Sequence, residues 1–136
     1  MVHALSEARR VLRPGGRLID LRPEAAHRRI GIGEGRRWKR VGALGEGFGE
    51  DYAADRAVKR ALRDRWFRSG RRQRFMIDRV MDGPADLRQW ISEIDQRRGI
   101  RSYAGLLAKV DRALARTPGK IVGRGPVALV PLIRLD

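Results

Sequence analysis

The chain has no cysteine, which excludes disulfides, thiolate nucleophiles and cysteine-held metal. Its two histidines, His3 and His27, do not by themselves assemble a zinc site, so no metal is expected. Histidine is also the usual general base near neutral pH, but it needs a nucleophile or an orienting partner. His3 falls on the polar face of a helix and His27 in an arginine-rich loop, and both read as solvated. No catalytic residue is assigned. Long apolar runs are missing too. None approaches the roughly 20 residues that cross a bilayer, and the first residues carry neither a signal-like apolar stretch nor a small-residue cleavage site. A cytoplasmic location without a membrane partner is expected.

What is abundant is positive charge, +15 over 136 residues. Lysine and arginine neutralise phosphates, so a small basic nucleic-acid-binding module is one reading. Only Lys39, Lys59, Lys109 and Lys120 are lysine, however, and heavy use of arginine, alanine and glycine is also what a GC-rich genome gives. Residues 1–45 hold 11 basic and 4 acidic side chains and residues 46–136 hold 20 and 12, so the excess forms no tail. The densest stretch, residues 56–74, has nine basic residues against Asp64 alone. Within it Arg60, Arg63, Arg71 and Arg72 are the candidate phosphate-binding residues, and the competing reading is the solvated face of an amphipathic helix. Trp66 and Phe67 read as core anchors at that helix's end, and Trp38, Trp90 and Tyr103 as packing residues rather than stacking platforms.

Apolar spacing predicts an amphipathic helix over 2–12, a turn at Arg13-Pro14-Gly15-Gly16 and a short strand from Arg17 to Leu21. Glycines at 31, 33, 35 and 42 suggest two short strands, 29–32 and 37–44, around a turn. A helix over 50–67 is expected to bury Ala54, Ala57, Val58, Ala61 and Leu62. Residues 71–81 alternate as a half-buried strand, with Phe75, Ile77 and Met81 on one side and Arg74, Met76 and Asp78 on the other. Gly83-Pro84 opens a helix burying Leu87, Trp90, Ile91 and Ile94. A further helix, 102–115, is expected to bury Tyr103, Leu106, Leu107, Val110 and Leu114. Residues 121–135 read as a broken or edge-lying strand, because Pro126 and Pro131 cannot donate to a ladder.

The pattern Leu5-x-Glu7-x-x-Arg10-Val11-Leu12-Arg13-Pro14-Gly15-Gly16-Arg17-Leu18 resembles the helix and turn that enter the fifth strand of class I S-adenosylmethionine-dependent methyltransferases. The likeness is sharp over about the first 23 residues and architectural afterwards. It implies an α/β chain with a partial Rossmann-like methyltransferase fold: a parallel strand, then an antiparallel pair formed by 71–81 and 121–135, with packed helices. The last strand is expected to insert beside the first. One domain spanning 1–136 is expected, made of the helix-turn-strand motif at 1–23, a glycine-rich hairpin or loop at 24–49, and helices and terminal strands over 50–136. An uninterrupted helix over 4–23, or an all-antiparallel sheet, would remove this ancestry.

In that family the cofactor is held by a glycine-rich loop after the first strand and by residues after strands two to four, all of which would precede Met1. S-adenosylmethionine is therefore implied by the resemblance only, and none is expected to bind this chain alone. Ile30-Gly31-Ile32-Gly33-Glu34-Gly35 has the spelling of such a loop but no helical pattern after it, and reads as a hairpin. Asp20, Arg22 and Pro23, at the C-terminal end of the presumed parallel strand, are the substrate-proximal candidates. The resemblance makes the chain the C-terminal segment of a methyltransferase, inactive alone, that pairs through the exposed strand 17–21 with a second copy or with a missing N-terminal half. The rivals are the nucleic-acid module and a non-enzymatic interaction domain.

Overall fold

The computed structural model describes residues 1–101 and 103–136 and is of the α/β class, with four α-helices and six strands whose pairings are antiparallel. The chain divides into two compact units, each drawn from separate segments. Unit 1 comprises 1–25, 49–75 and 127–136, and unit 2 comprises 26–48 and 76–126.

Unit 1 begins with α1 (Val2–Val11), whose apolar side buries Leu5. The turn that follows places Gly15 at φ 74°, a left-handed conformation that glycine adopts without strain. The Gly15 N–H donates to the Arg134 carbonyl (3.0 Å), and the Arg134 N–H donates to the Gly16 carbonyl (2.8 Å). The Arg134 guanidinium donates to the Leu12 carbonyl, placing a cation at the electronegative end of α1. Strand β1 (Arg17–Pro23) then pairs residue by residue with the end of the chain, from Arg17 opposite Ile133 to Pro23 opposite Val127. Helix α2 (Gly49–Arg63) packs with α1, and β4 (Phe67–Ser69) pairs along residues 132–134. Leu5, Ala57, Ala61, Phe67 and Leu132 form the core, with Leu18, Trp66 and Val130 against it. Each faces that core because helical spacing or strand alternation puts it there.

Unit 2 holds the hairpin of β2 (Arg28–Ile32) and β3 (Lys39–Leu44), joined through a 3₁₀ turn at Gly35–Arg37. It also holds α3 (Pro84–Arg98) and α4 (Ala104–Arg116). Ile30, Leu44, Leu87, Trp90, Ile91, Val110 and Ile121 are central to its core. Strand β6 (Ile121–Arg134) serves both units in turn, since 121–124 pair with β2 and 127–133 with β1. Strand β5 (Gln73–Met81) also pairs with β6.

Several expectations are met: α1, the turn and β1; the glycine-rich hairpin; the four buried residues of α3; and β6 inserted antiparallel beside β1. Others are corrected. The parallel strand expected at 17–21 is not found, because among the described residues the one strand hydrogen-bonded to β1 is the antiparallel β6. Helix α2 ends at Arg63, where Arg65 takes φ 56°, and Phe67 is the first residue of a strand. Strand β5 is exposed along its length except at Met81, since alternation sorts side chains to two faces without supplying a layer to cover either. Strand β6 is continuous and central rather than broken. Pro126 falls where the ladder changes partners, and Pro131 lies just past the stretch paired with β4, its carbonyl accepting from the Gly70 N–H at 2.7 Å. Tyr103 is exposed, and Ser102, where the expected helix begins, lies outside the described residues. Among the described residues no helix is long and apolar enough to cross a membrane.

Candidate functional site

A cavity of about 380 Å³ opens in unit 1 where β1 ends beside α2. Asp20, Arg22 and Pro23, the three substrate-proximal candidates, all line it. The strand supplies Asp20 and Arg22 on one face, two residues apart, and that spacing lets the guanidinium fold back onto its neighbour. Arg22 Nε donates to Asp20 Oδ1 at 2.6 Å and Nη2 to Oδ2 at 2.8 Å. The same Nη2 lies 3.2 Å from Asp55 Oδ1 on α2. The hydrogen bonds that Arg22 donates to Asp20, then the charges of Asp20 and Asp55, raise the Arg22 pKa above its ordinary value against the opposing effect of burial.

Glu24 completes the rim. It accepts from both Arg72 and Arg74, and these bonds, Arg74's foremost, hold its carboxyl below the ordinary glutamate range. Of the candidate phosphate-binding residues, Arg72 thus lines the cavity with its charge already answered. Arg60 and Arg63 lie together on α2 against Asp64, at 3.5 and 2.9 Å, and Arg71 is an exposed residue of the loop before β5. Sequence density singled out a basic stretch, and folding pairs three of its four candidates with carboxylates. The cavity also takes Asp51, Asp55, Val58, Lys59 and Leu62 from α2. Sequence reasoning missed this stripe, although positions 51, 55, 58, 59 and 62 have the spacing of one helical face.

Of the carboxylates on the cavity wall, Asp20, Glu24 and Asp55 are engaged by guanidinium groups, and Ser69, the hydroxyl there, donates to the Gly70 carbonyl at 3.1 Å. Neither histidine lines it: His3 is exposed on α1, and His27 in unit 2 accepts the Glu46 N–H at 3.2 Å beside Phe48. Among the described residues no cluster of histidine and carboxylate fits a metal ion.

The glycine-rich stretch 30–35 is not built as a cofactor loop. It closes a hairpin, and a Cβ at Gly31 would lie 2.5 Å from the Trp38 ring, so the space that glycine leaves is already filled. The Gly33 N–H is taken by the Lys120 carbonyl at 2.9 Å.

A second residue missed by sequence reasoning is Glu46, a buried carboxylate of unit 2. Arg28 donates to its Oε2 at 2.5 Å, with Arg98 at 3.8 Å, while Oε1 has no partner.

Comparison with family models, curated proteins and solved structures gives no match for this chain.

Proposed function

We propose that the chain is a non-enzymatic interaction domain that associates with a partner through the free edge of β1 and holds a small polar ligand in the cavity at that strand's end. The observation that carries this reading is the edge itself. Among the described residues strand β1 is hydrogen-bonded on one side only, to β6, and its residues Ile19 and Leu21 are 52% and 55% exposed. An unpaired strand edge with apolar side chains is a template for another strand, because its N–H and C=O groups still need partners.

The methyltransferase reading is a rival that shares this edge pairing. In it the partner is a separate N-terminal half that would add the parallel neighbour missing here, and this chain supplies sheet framework and substrate contacts. The formed helix-turn-strand at 2–23 and the antiparallel insertion of β6 beside β1 agree with its local motif, but pairings that are antiparallel throughout the described residues are the outcome that removes this ancestry, which is why the interaction-domain reading is preferred. When bound to an intact family member, S-adenosylmethionine supplies an activated methyl group; titration of this chain with that cofactor is expected to give no binding.

Light scattering tests the edge. The chain is expected to form dimers, and the double substitution Ile19→Lys with Leu21→Lys to return it to a monomer, since paired like charges on an edge block strand addition. A monodisperse monomer at high concentration overturns the proposal.

A further inference from the structure

A second concavity, in unit 2, differs from the first in its charge. Its volume is about 850 Å³, and it lies between the β2–β3 turn and the connection from α4 to β6. The turn and the start of β3 contribute Arg37, Lys39 and Arg40, and the end of α4 and the connection after it contribute Arg116 and Lys120; the one carboxylate on the wall is Glu34. Lys120 is already paired with Asp82. Among the described residues Arg37, Lys39, Arg40 and Arg116 make no ion pair, whereas Arg22, Arg28, Arg63, Arg72 and Arg124 each meet a carboxylate. The floor is apolar, made by Ile32, Val41, Ala113 and Pro118.

Four uncompensated cations converging on one concavity repel each other. Water and salt weaken that repulsion, and a bound polyanion would remove it. The C-terminal end of α4 lies at the same place and carries the opposite partial charge, but that amounts to roughly half an elementary charge, too little to answer four cations. Nor is this a glycine-loop site, because the Gly33 N–H is engaged by the Lys120 carbonyl. The anion must be held by side chains.

We propose that this concavity binds a small molecule carrying two or more linked phosphates. Guanidinium groups from both walls suit it, since each presents a planar fork matched to phosphate oxygens. The volume falls within the range of roughly 300–1,000 Å³ usual for small-ligand sites, more than a lone inorganic phosphate needs. A single-stranded nucleic acid is the less suited ligand. Its binding relies on aromatic platforms, and no aromatic ring lines this concavity: the Trp38 Nε1–H donates to the Val122 carbonyl, and the Arg124 guanidinium stacks on its ring 4.5 Å away. The proposal is independent of the edge-pairing function, and either stands if the other fails.

Calorimetric titration of the full chain with inorganic pyrophosphate, with ADP and with a short oligothymidylate tests it. Pyrophosphate and ADP are expected to bind, more weakly as salt is added. The double substitution Arg37→Gln with Arg116→Gln is expected to weaken both by about tenfold or more, the equivalent of about 1.4 kcal/mol. Because both side chains are exposed, folding is expected to be unaffected, and Lys39→Gln with Arg40→Gln provides a second variant on the same wall. The pair Arg60→Gln with Arg63→Gln, on α2, is expected to leave affinity unchanged. Absence of binding at millimolar pyrophosphate and ADP, an affinity indifferent to both concavity variants, or tighter binding of the oligonucleotide than of pyrophosphate overturns the proposal.

Discussion

The cavities of the two units treat charge in opposite ways. Around that of unit 1, Asp20, Asp55 and Glu24 each meet a guanidinium, so most of the charges there are answered within the fold. Around that of unit 2, one carboxylate accompanies five cations, and four of those make no ion pair among the described residues. The lesson is that net charge says little about where a protein is ready to take an anion. A basic stretch can be neutralised on folding, while cations scattered in sequence can collect unpaired.

The largest expected effects test whether the units are energetically distinct. Leu132→Ala empties a fully buried position in the core of unit 1 and Leu87→Ala one in the core of unit 2. Each is expected to cost about 2–5 kcal/mol. Trp66 belongs to unit 1 and Trp38 and Trp90 to unit 2, so single-tryptophan variants report the two separately. Leu132→Ala should lower the urea midpoint seen by Trp66 more than that seen by Trp90, and equal shifts would abolish the distinction.

A smaller effect sharpens the charge contrast. Arg22→Gln leaves Asp20 and Asp55 without their shared cation and is expected to destabilise by about 1.5–3 kcal/mol, whereas Arg116→Gln should change stability by no more than about 0.5 kcal/mol. Urea titration of both variants checks this, and similar losses would show that the unit 2 cations are structural. Smallest is the response to acid. Glu24 in unit 1, chiefly through Arg74, and Asp78 in unit 2, chiefly through Arg124, titrate below their ordinary values of 4.5 and 3.8. A carboxylate depressed on folding adds stability above its unfolded pKa and loses it as pH falls through the folded one. Stability is therefore expected to be flat near neutrality and to fall below about pH 4.5, with Glu24→Gln flattening the upper part of that decline.

Much of this was legible in sequence because it is local. The spacing of Leu87, Trp90, Ile91 and Ile94 defines the buried face of α3, and Pro14 with two glycines defines the turn before β1. Asp20, Arg22 and Pro23, singled out as substrate-proximal by the rule that ligands gather at the ends of parallel strands, line the unit 1 cavity although the strand is antiparallel. What escaped is non-local. The two walls of the unit 2 concavity come from residues 32–41 and 113–120, and the partners that neutralise Arg72 and Arg74 come from Glu24. The prolines of β6 were read as breaks because alignment with the ends of neighbouring ladders is invisible without the partners.

That last strand also sets a schedule for making the protein. Ile121–Arg134 is where β1, β2, β4 and β5 all find a partner, and Arg17 must wait for Ile133. A chain emerging from the ribosome therefore carries the helices and hairpin of residues 2–116 before residues 121–134 supply their shared ladder. Loss of residues 127–134 would strip unit 1 of its sheet, so chains in which that stretch is not yet made are the form in which sticky strand edges are most abundant.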